Sequence, residues 1–227
     1  MQKITILIPV YNEKNSLLEI LKRVEEVDFE LEKEIILIDD YSTDGTRELY
    51  KDLPYKVLYH EYNQGKGAAL RTGIQEASGD IIIIQDADLE YNPQDYKELV
   101  QLVKTGCADV VYGSRLADTR NSGKFLLLSY LANVTLSFMT RLLYGTYLTD
   151  METCYKAFRA DVIKGIEIKS NRFDFEPEIT AKVLKQGVTF LETPISYNAR
   201  TNEEGKKIGW KDGVQAIWTL IKYRFTD

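Results

Sequence analysis

The sequence lacks any run of apolar residues as long as the roughly 18 that a membrane-spanning helix requires. We therefore expect no transmembrane helix, and because strand-like residues come directly at the start we also expect no signal peptide. It has a single histidine, His60, which excludes histidine-rich metal sites and disfavours a Ser-His-Asp hydrolase. We expect this histidine on the surface, at the end of a strand. The two cysteines, Cys107 and Cys154, have no metal-like spacing, so we expect buried or inert thiols in a reducing compartment.

The sequence also lacks an excess of positive charge. Its 227 residues carry a formal net charge of −6, so we expect no nucleic-acid partner. The length suits one α/β domain with its own core. Basic residues outnumber acidic ones from Arg200 to Arg224. This segment either faces phosphates or an anionic membrane, or is a solvated basic helix face.

Strand-like and helix-like segments alternate through the first half of the chain. The strand-like runs are 4–10, 34–38, 55–60, 81–85 and 109–112, and the helix-like stretches are 16–27, 44–52, 67–77 and 93–104. Near-continuous Ile, Leu and Val runs indicate strands covered on both faces, so we predict a mostly parallel sheet flanked by helices. Open sheets of this kind bind ligands beyond the carboxyl ends of their strands. We therefore expect the loops after Val10, Ile38, Gln85 and Tyr112 to line a common crevice.

The second half of the sequence is predicted to be mainly helical. Residues 124–148 form a mostly apolar helical stretch with these polar interruptions: Ser129, Asn133, Thr135, Ser137 and Arg141. A helix within 171–185, a strand at 190–197 and a final helix at 213–225 follow. An apolar stripe runs along the final helix, formed by Val214, Ile217, Trp218, Ile221 and Phe225. Such a stripe either lies in a bilayer interface or packs on the core or a partner subunit, and residues 125–143 are a second candidate for membrane contact.

Closely spaced acids follow the run of four isoleucines at 81–84. In an extended segment, alternate residues point the same way, so Asp86 and Asp88 are placed to address one site. Two carboxylates suit Mg²⁺ or Mn²⁺, which complete their shells with phosphates and water. The alternative is a polar turn with capping acids before Pro93. Asp39 and Asp40 end the second strand, where one acid would accept hydrogen bonds from a nucleobase or ribose.

Two other nucleotide-binding patterns do not fit the sequence. No Gly-x-Gly-x-x-Gly follows the first strand, which disfavours a dinucleotide-binding fold. The segment Gly65-Lys66-Gly67 lacks the frame of a P-loop.

Five segments in register instead resemble the family 2 glycosyltransferases. They are IPVYNE at 8–13, IDDYSTDGT at 38–46, NQGKG at 63–67, DAD at 86–88 and GSR at 113–115. Three later segments resemble the dolichyl- and polyprenyl-phosphate sugar synthase branch. They are DMETCYKAF at 150–158, RFDFEPEI at 172–179, and Arg200 with GKK at 205–207. The resemblance implies a single domain of GT-A fold over 1–227, with a nucleotide-sugar-binding half at 1–115 and an acceptor half at 116–227.

The resemblance also implies roles for individual residues. The residues implied to bind the nucleotide-sugar are Pro9, Tyr11, Glu13, Asp40, Lys66, Asp86, Arg115, Arg200, Lys206 and Lys207. The residues implied to bind Mg²⁺ or Mn²⁺ are Asp86, Asp88 and Glu90, and those implied to be catalytic are Asp88, Asp150 and Glu176. Arginine suits phosphate because its planar fork pairs bidentately.

The implied reaction is direct displacement, with inversion, of a hexose from a GDP-mannose-type or UDP-glucose-type donor. The implied acceptor is a polyprenyl phosphate or another membrane-associated molecule, and the enzyme would lie peripherally at the cytoplasmic face of a membrane. A phosphate acceptor is already an anion and needs no general base, whereas a hydroxyl acceptor would need Glu176 or Asp150 to take its proton. The alternatives are a non-catalytic nucleotide-sugar-binding subunit and a sugar-1-phosphate nucleotidyltransferase. The nucleotidyltransferase would need a glycine-rich loop after the first strand, which the sequence lacks.

Overall fold

A computed structural model describes residues 1–118, 121, 127–199 and 210–226. The strands are β1 (Lys3–Val10), β2 (Glu32–Asp39), β3 (Lys56–Tyr59), β4 (Ile81–Ile84), β5 (Val110–Ser114), β6 (Lys156–Arg159) and β7 (Phe190–Pro194). The helices are α1 (Leu17–Glu25), α2 (Thr46–Leu49), α3 (Lys66–Glu76), α4 (Tyr96–Lys104), α5 (Leu127–Tyr144), α6 (Ala160–Lys164), α7 (Phe175–Lys185) and α8 (Trp210–Phe225). Short 3₁₀ turns at Tyr50–Asp52 and Pro93–Asp95 extend α2 and precede α4.

The described strands form one seven-stranded sheet in the order β3-β2-β1-β4-β6-β5-β7. All neighbouring pairs are parallel except those of β6, which runs antiparallel to β4 and β5. The predicted mostly parallel sheet with flanking helices is therefore confirmed. The four isoleucines of β4 have no exposed surface, as expected for a strand covered on both faces.

Among the described strands, the antiparallel β6 is the one that the sequence did not predict. It is only four residues long and carries a basic residue at each end, Lys156 and Arg159, so it has neither an apolar run nor an alternating pattern. Its direction has a consequence for the site. Because β6 runs against its neighbours, the segment that enters it, 150–155, lies at the edge where the parallel strands end. We call this edge the carboxyl edge.

Helices α5, α7 and α8 pack against one another. The Tyr144 hydroxyl donates to the Leu220 carbonyl at 2.7 Å, and the Lys185 ammonium donates to the Thr226 carbonyl at 2.9 Å. These bonds join the C-terminal ends of the three helices. Asn133 of α5 and Glu176 in the first turn of α7 contact the 150–156 segment at the carboxyl edge.

One local prediction is wrong. His60 is buried, because its ring is hydrogen-bonded to Asp40 and Thr72 instead of facing solvent. Of the two thiols, expected to be buried or inert, Cys154 is buried and Cys107 is exposed in the loop before β5.

Candidate active site

Lys66 connects two acids at the carboxyl edge. It is the first residue of α3, and its ammonium lies 2.7 Å from Asp86 Oδ1 and 3.4 Å from Glu176 Oε1. Burial acts to raise the pKa of Asp86, but the charge and hydrogen bond of Lys66, together with Cys154 and Lys156, hold that pKa below its usual value. Asp86 therefore stays a carboxylate at the end of β4. The structure brings these three predicted site residues together.

Two glycines allow Lys66 to reach this position. Gly65 has φ +99°, and a Cβ there would lie 2.4 Å from the Asn171 carbonyl oxygen. A Cβ on Gly67 would lie 2.6 Å from the Ser170 carbonyl oxygen. The start of α3 thus fits against the backbone of 170–172, and the Ala68 N–H donates to the Asn171 carbonyl at 3.1 Å. A larger residue at either glycine would separate these two segments.

Glu176 is paired with a second lysine, Lys156, which sequence reasoning did not select. Lys156 has no exposed surface. Its ammonium contacts Glu176 Oε2, donates to the Met151 and Thr153 carbonyls, and lies 4.6 Å from the centre of the Tyr112 ring. Lys156 therefore fastens α7 to the segment that enters β6. A lysine inside the DMETCYKAF motif, flanked by apolar residues, was the available sequence signal.

Arg115 and Asp150 form a second enclosed ion pair of the site. Asp150 has no exposed surface, and Arg115 is 9% exposed. The carboxylate accepts the Arg115 backbone N–H, Nε–H and Nη2–H, each at 2.8 Å, and the Asn133 amide at 2.7 Å. Burial acts to raise the pKa of Asp150, and Arg115 outweighs it, so the pKa is lowered. This geometry does not support Asp150 as a proton acceptor, since both oxygens are engaged and the lowered pKa opposes protonation.

The polar interruptions of the long apolar helix explain how α5 is held. Asn133 and Ser137 lie one turn apart, both are buried, and both bind the 150–152 segment. Asn133 donates to Asp150 and accepts from the Glu152 N–H, and Ser137 accepts from the Met151 N–H. Polar residues at this helical spacing in an apolar helix were the sequence signal for a site-facing stripe.

Asp40 organises the loop at the end of β2. Its Oδ1 accepts from the Gln64 N–H and contacts the His60 ring nitrogen, both at 2.8 Å, while Oδ2 accepts from the Gly65 N–H at 2.7 Å. Asp40 thus fixes the loop that leads to Lys66. Sequence reasoning missed His60 as its partner because a lone histidine after a strand carries no pattern.

The other residues predicted to hold the nucleoside lie near Asp40. Pro9 is within β1, and Tyr11 follows that strand and is 37% exposed. The Glu13 N–H donates to Thr46 Oγ1 at 3.0 Å, and its carboxylate accepts from the Ser16 hydroxyl at 2.6 Å, before α1. Glu13 therefore joins the loops after β1 and β2.

Asp88 and Glu90 follow Asp86, and each has a hydrogen-bond partner of its own. Asp88 Oδ1 accepts the Glu90 N–H at 3.0 Å, whereas Glu90 Oε2 accepts from the Tyr197 hydroxyl at 3.2 Å. Across the described part of the chain, no three Asp, Glu, His or Cys side chains are grouped so that they would hold a metal ion. Glu90 therefore contacts Tyr197 and does not form a three-carboxylate metal site with Asp86 and Asp88.

Three predicted phosphate-binding residues, Arg200, Lys206 and Lys207, lie outside the described residues. The described chain before them passes close to the acids. The Asn198 N–H donates to the Glu90 carbonyl at 2.8 Å, and Tyr197 forms a bridge with Tyr91.

A mostly parallel sheet with acids, lysines and an arginine collected at its carboxyl edge has its charged groups where such sheets bind ligands. The sequence profile of Glycosyl transferase family 2 matches residues 5–166, and the chain belongs to this family. It is a glycosyltransferase with the GT-A fold.

Two relatives and one solved structure illustrate this membership. The chain is 29% identical to dolichol-phosphate mannosyltransferase of Pyrococcus furiosus, over 97% of this chain and 64% of that protein. It is also 29% identical to undecaprenyl-phosphate mannosyltransferase of Micrococcus luteus, over 91% of this chain and 88% of that protein. Glucosyl-3-phosphoglycerate synthase of Mycobacterium tuberculosis, solved with Mn²⁺, UDP and phosphoglyceric acid, has the same fold. Its TM-score is 0.78 at 17% identity, covering 100% of this chain and 80% of that one.

Proposed function

We propose that this glycosyltransferase moves a hexose from a nucleotide-sugar to a polyprenyl phosphate, with inversion at the anomeric carbon. The observation that carries the proposal is the meeting of Asp86, Lys66 and Glu176 at the carboxyl edge, in a chain of this family. The names of the Pyrococcus and Micrococcus relatives support the acceptor class.

The donor nucleoside would lie over the loops after β1 and β2. Asp40 is already fixed by backbone N–H groups, so its carboxylate is preorganised for a base or ribose that approaches it. The exposed ring of Tyr11 and the adjacent Pro9 would form an apolar wall beside it. Glu13 supports this wall by joining the two loops.

The donor diphosphate would lie near Asp86, Asp88 and Lys66. Two carboxylates with access to diphosphate oxygens fit Mg²⁺ or Mn²⁺, which usually take one or two carboxylates and fill the shell with phosphates and water. The Mycobacterium structure, which holds Mn²⁺ and UDP on the same fold, supports this assignment. Asp86 and Asp88 would hold the ion, which would supply Lewis-acid stabilisation of the leaving diphosphate.

The residues of this chain would supply further positive charge to the leaving group. The Lys66 ammonium lies at the Asp86 carboxylate and would also face the diphosphate. Arg200, Lys206 and Lys207 would contact donor or acceptor phosphate, since the chain ahead of them is bonded to Glu90. Preorganised charges of this kind lower the barrier because they need not reorganise during the reaction.

We assign a positioning role to the Arg115–Asp150 pair. The bidentate contact joins the end of β5 to the segment before β6, and Asn133 adds α5 to the same carboxylate. Glu176 lies between Lys66 and Lys156, so its carboxylate would space these two charges rather than accept a proton. A phosphate acceptor is consistent with this, because its oxygen attacks as an anion.

A surface on α5 and α8 would place the enzyme at a membrane. Among the described residues, no helix combines the length and apolarity needed to cross a bilayer. The exposed apolar side chains of α5 are Leu131, Val134, Phe138 and Leu142, and those of α8 are Val214, Trp218 and Phe225. The opposite face of α8, with Ala216, Leu220 and Tyr223, is buried against the protein. The stripe predicted in the last helix therefore leaves its largest side chains in solvent.

Charge supports a bilayer as the partner of this surface. Arg141, Lys222 and Arg224 flank the apolar side chains on a protein whose net charge is negative. Amphipathic helices with this composition lie in the interface of anionic membranes. We propose peripheral association of this kind, at the cytoplasmic face.

A donor panel tests the function. The purified protein is incubated with GDP- and UDP-sugars, with Mg²⁺ or Mn²⁺ or with EDTA, and with or without a polyprenyl phosphate in detergent. We expect transfer with one donor, only with lipid phosphate and divalent cation, and NMR of the product should show inverted anomeric configuration. Transfer to a hydroxyl acceptor only, or neither transfer nor donor hydrolysis with any combination, would contradict the proposal.

A further inference from the structure

One acid at the carboxyl edge lacks a basic partner among the described residues. Three of the acids are paired in the order Asp86 with Lys66, Asp150 with Arg115, and Glu176 with Lys156. Glu152 is the fourth acid in this group, and it has no ion pair within the described chain. A charged Glu152 would therefore add a negative charge that no described ion pair compensates.

The position of Glu152 is fixed although its carboxyl group is not. Its backbone N–H donates to Asn133 Oδ1 at 3.3 Å, which anchors the residue to α5. Its Oε1 is buried and has no hydrogen-bond partner. The residue as a whole is partly exposed. A buried carboxyl oxygen without a partner is costly unless a ligand supplies one.

The surroundings of Glu152 favour its neutral form. Glu176 faces it from α7, Lys156 from β6, Arg115 from the end of β5, and Asp150 from its own segment. Burial, and next the charge of Glu176, raise the pKa of Glu152 to about 7, while the two basic groups act in the opposite direction. Near neutral pH, Glu152 is therefore a hydrogen-bond donor in a substantial fraction of molecules.

The location of Glu152 points to the acceptor rather than to the donor. Asn133, which accepts a hydrogen bond from the Glu152 N–H, belongs to α5. The next residue of that helix, Val134, is part of the exposed apolar surface. Glu152 thus lies between the acids that line the donor side and the helix that would meet lipid. A phosphate carried on a lipid chain and entering along α5 would reach this carboxyl group.

We propose that protonated Glu152 donates a hydrogen bond to the phosphate of the acceptor and so selects an anionic headgroup. This inference rests on the proposed lipid-phosphate acceptor. A neutral carboxyl group donates to an anionic oxygen in a charge-assisted bond. After ionisation the same group becomes acceptor-only and repels the phosphate. Acceptor affinity should therefore fall as the pH rises past neutrality.

Direct binding of farnesyl phosphate, a short prenyl monophosphate, tests the inference. Titration calorimetry from pH 7 to 8.5 avoids the second ionisation of a phosphate monoester near pH 6. We expect the dissociation constant of wild type to rise about tenfold over this window, since each pH unit above a pKa changes the protonated fraction about tenfold. Glu152→Gln, a permanently neutral donor of similar shape, should bind farnesyl phosphate with little pH dependence. Glu76→Gln, which removes an exposed acid at the end of α3, should behave as wild type.

Two results would overturn the inference. One is equal pH dependence in wild type and folded Glu152→Gln. The other is a loss of turnover above about 100-fold in Glu152→Gln with unchanged acceptor affinity, which would make Glu152 a general base. If the variant does not fold, the infrared band of a protonated carboxyl group in wild type should disappear between pH 6 and 8.5, and a constant band intensity would refute the assignment. Absence of any sugar transfer by wild type would contradict the proposed function instead, because it does not depend on Glu152.

Discussion

The Arg115–Asp150 pair gives the sharpest stability prediction. We consider Arg115→Met, which keeps an unbranched apolar chain but removes the guanidinium. The Asp150 carboxylate would keep the Asn133 amide and the Arg115 backbone N–H and lose two side-chain bonds of 2.8 Å. It would stay fully buried without a counter-charge.

The size of the effect follows from this burial. Removing one partner of a buried ion pair costs roughly 3–5 kcal/mol, because the remaining charge is uncompensated. An exposed pair is worth about 0–1 kcal/mol. Lys56 and Glu76, whose side chains are 44% and 49% exposed, form such a pair and supply the matched control. We therefore expect Arg115→Met to lower the free energy of unfolding by roughly 3–5 kcal/mol, and Lys56→Met by about 1 kcal/mol or less.

Urea unfolding followed by circular dichroism measures both variants. Asp150→Asn and the double variant with Arg115→Met complete a thermodynamic cycle. Removal of both charges leaves no orphaned ion, so the double variant should be less destabilised than the sum of the single variants, by about 1–3 kcal/mol. Additive single effects, or a loss from Arg115→Met as small as that from Lys56→Met, would refute the reasoning.

The pH dependence provides a second check on the same pair. The pKa of Asp150 is lowered in the folded protein, so its contribution to stability is present above its unfolded value of about 3.9 and is lost as the pH falls further. In Arg115→Met the buried carboxyl group gains by protonation. The difference in the free energy of unfolding between wild type and this variant should therefore narrow as the pH falls from the raised pKa of Asp150 in the variant towards its lowered pKa in wild type.

Three further predictions concern other parts of the molecule. Asp88→Asn should abolish cation-dependent sugar transfer without changing the urea midpoint, since an amide oxygen still accepts the local backbone N–H; transfer at the wild-type rate would remove Asp88 from the metal site. Gly67→Ala should lower the free energy of unfolding by about 1–3 kcal/mol in urea titrations, because its Cβ would lie 2.6 Å from a backbone oxygen, and an unchanged midpoint would show that the segment yields freely. The double variant Trp218→Glu/Ile221→Glu should sediment less with anionic vesicles than wild type does, whereas the control Leu18→Glu, at a similarly exposed site on α1, should sediment as wild type. Equal vesicle binding by wild type, the double variant and the control would contradict membrane docking through α8.

The sequence was sufficient to predict most of the sheet. The strands with long Ile, Leu and Val runs, such as β1 and β4, were identified because burial on both faces leaves a continuous apolar pattern. β6 was missed because its lysine, Lys156, is buried as the ion-pair partner of Glu176 in α7. No local sequence pattern encodes a contact with a distant helix. Its antiparallel direction follows from the packing of the whole sheet.

The candidate site was predictable where residues follow strands and less so where they act in pairs. Asp40 and Asp86 were placed correctly at the carboxyl edge because the ends of parallel strands share an edge. The sequence could not show that Arg115 would be taken up by Asp150, since these residues are 35 positions apart and only the fold brings them together. The resemblance therefore implied a separate role at the substrate for Arg115 and for Asp150, although the two side chains bind each other.

The direction of β6 links these observations. A parallel strand at this position would begin at the far end of the sheet and would carry 150–155 away from Asp86. Because β6 is antiparallel to β4, with Ile82 opposite Phe158, the preceding segment instead enters at the carboxyl edge. Lys156, the first residue of β6, then pairs with Glu176 of α7 beneath the site. The reversal therefore places Glu152 and the start of α7 at the same edge of the sheet as Asp86 and Asp88, which follow β4. A transferase needs this arrangement to bring an acceptor to its donor.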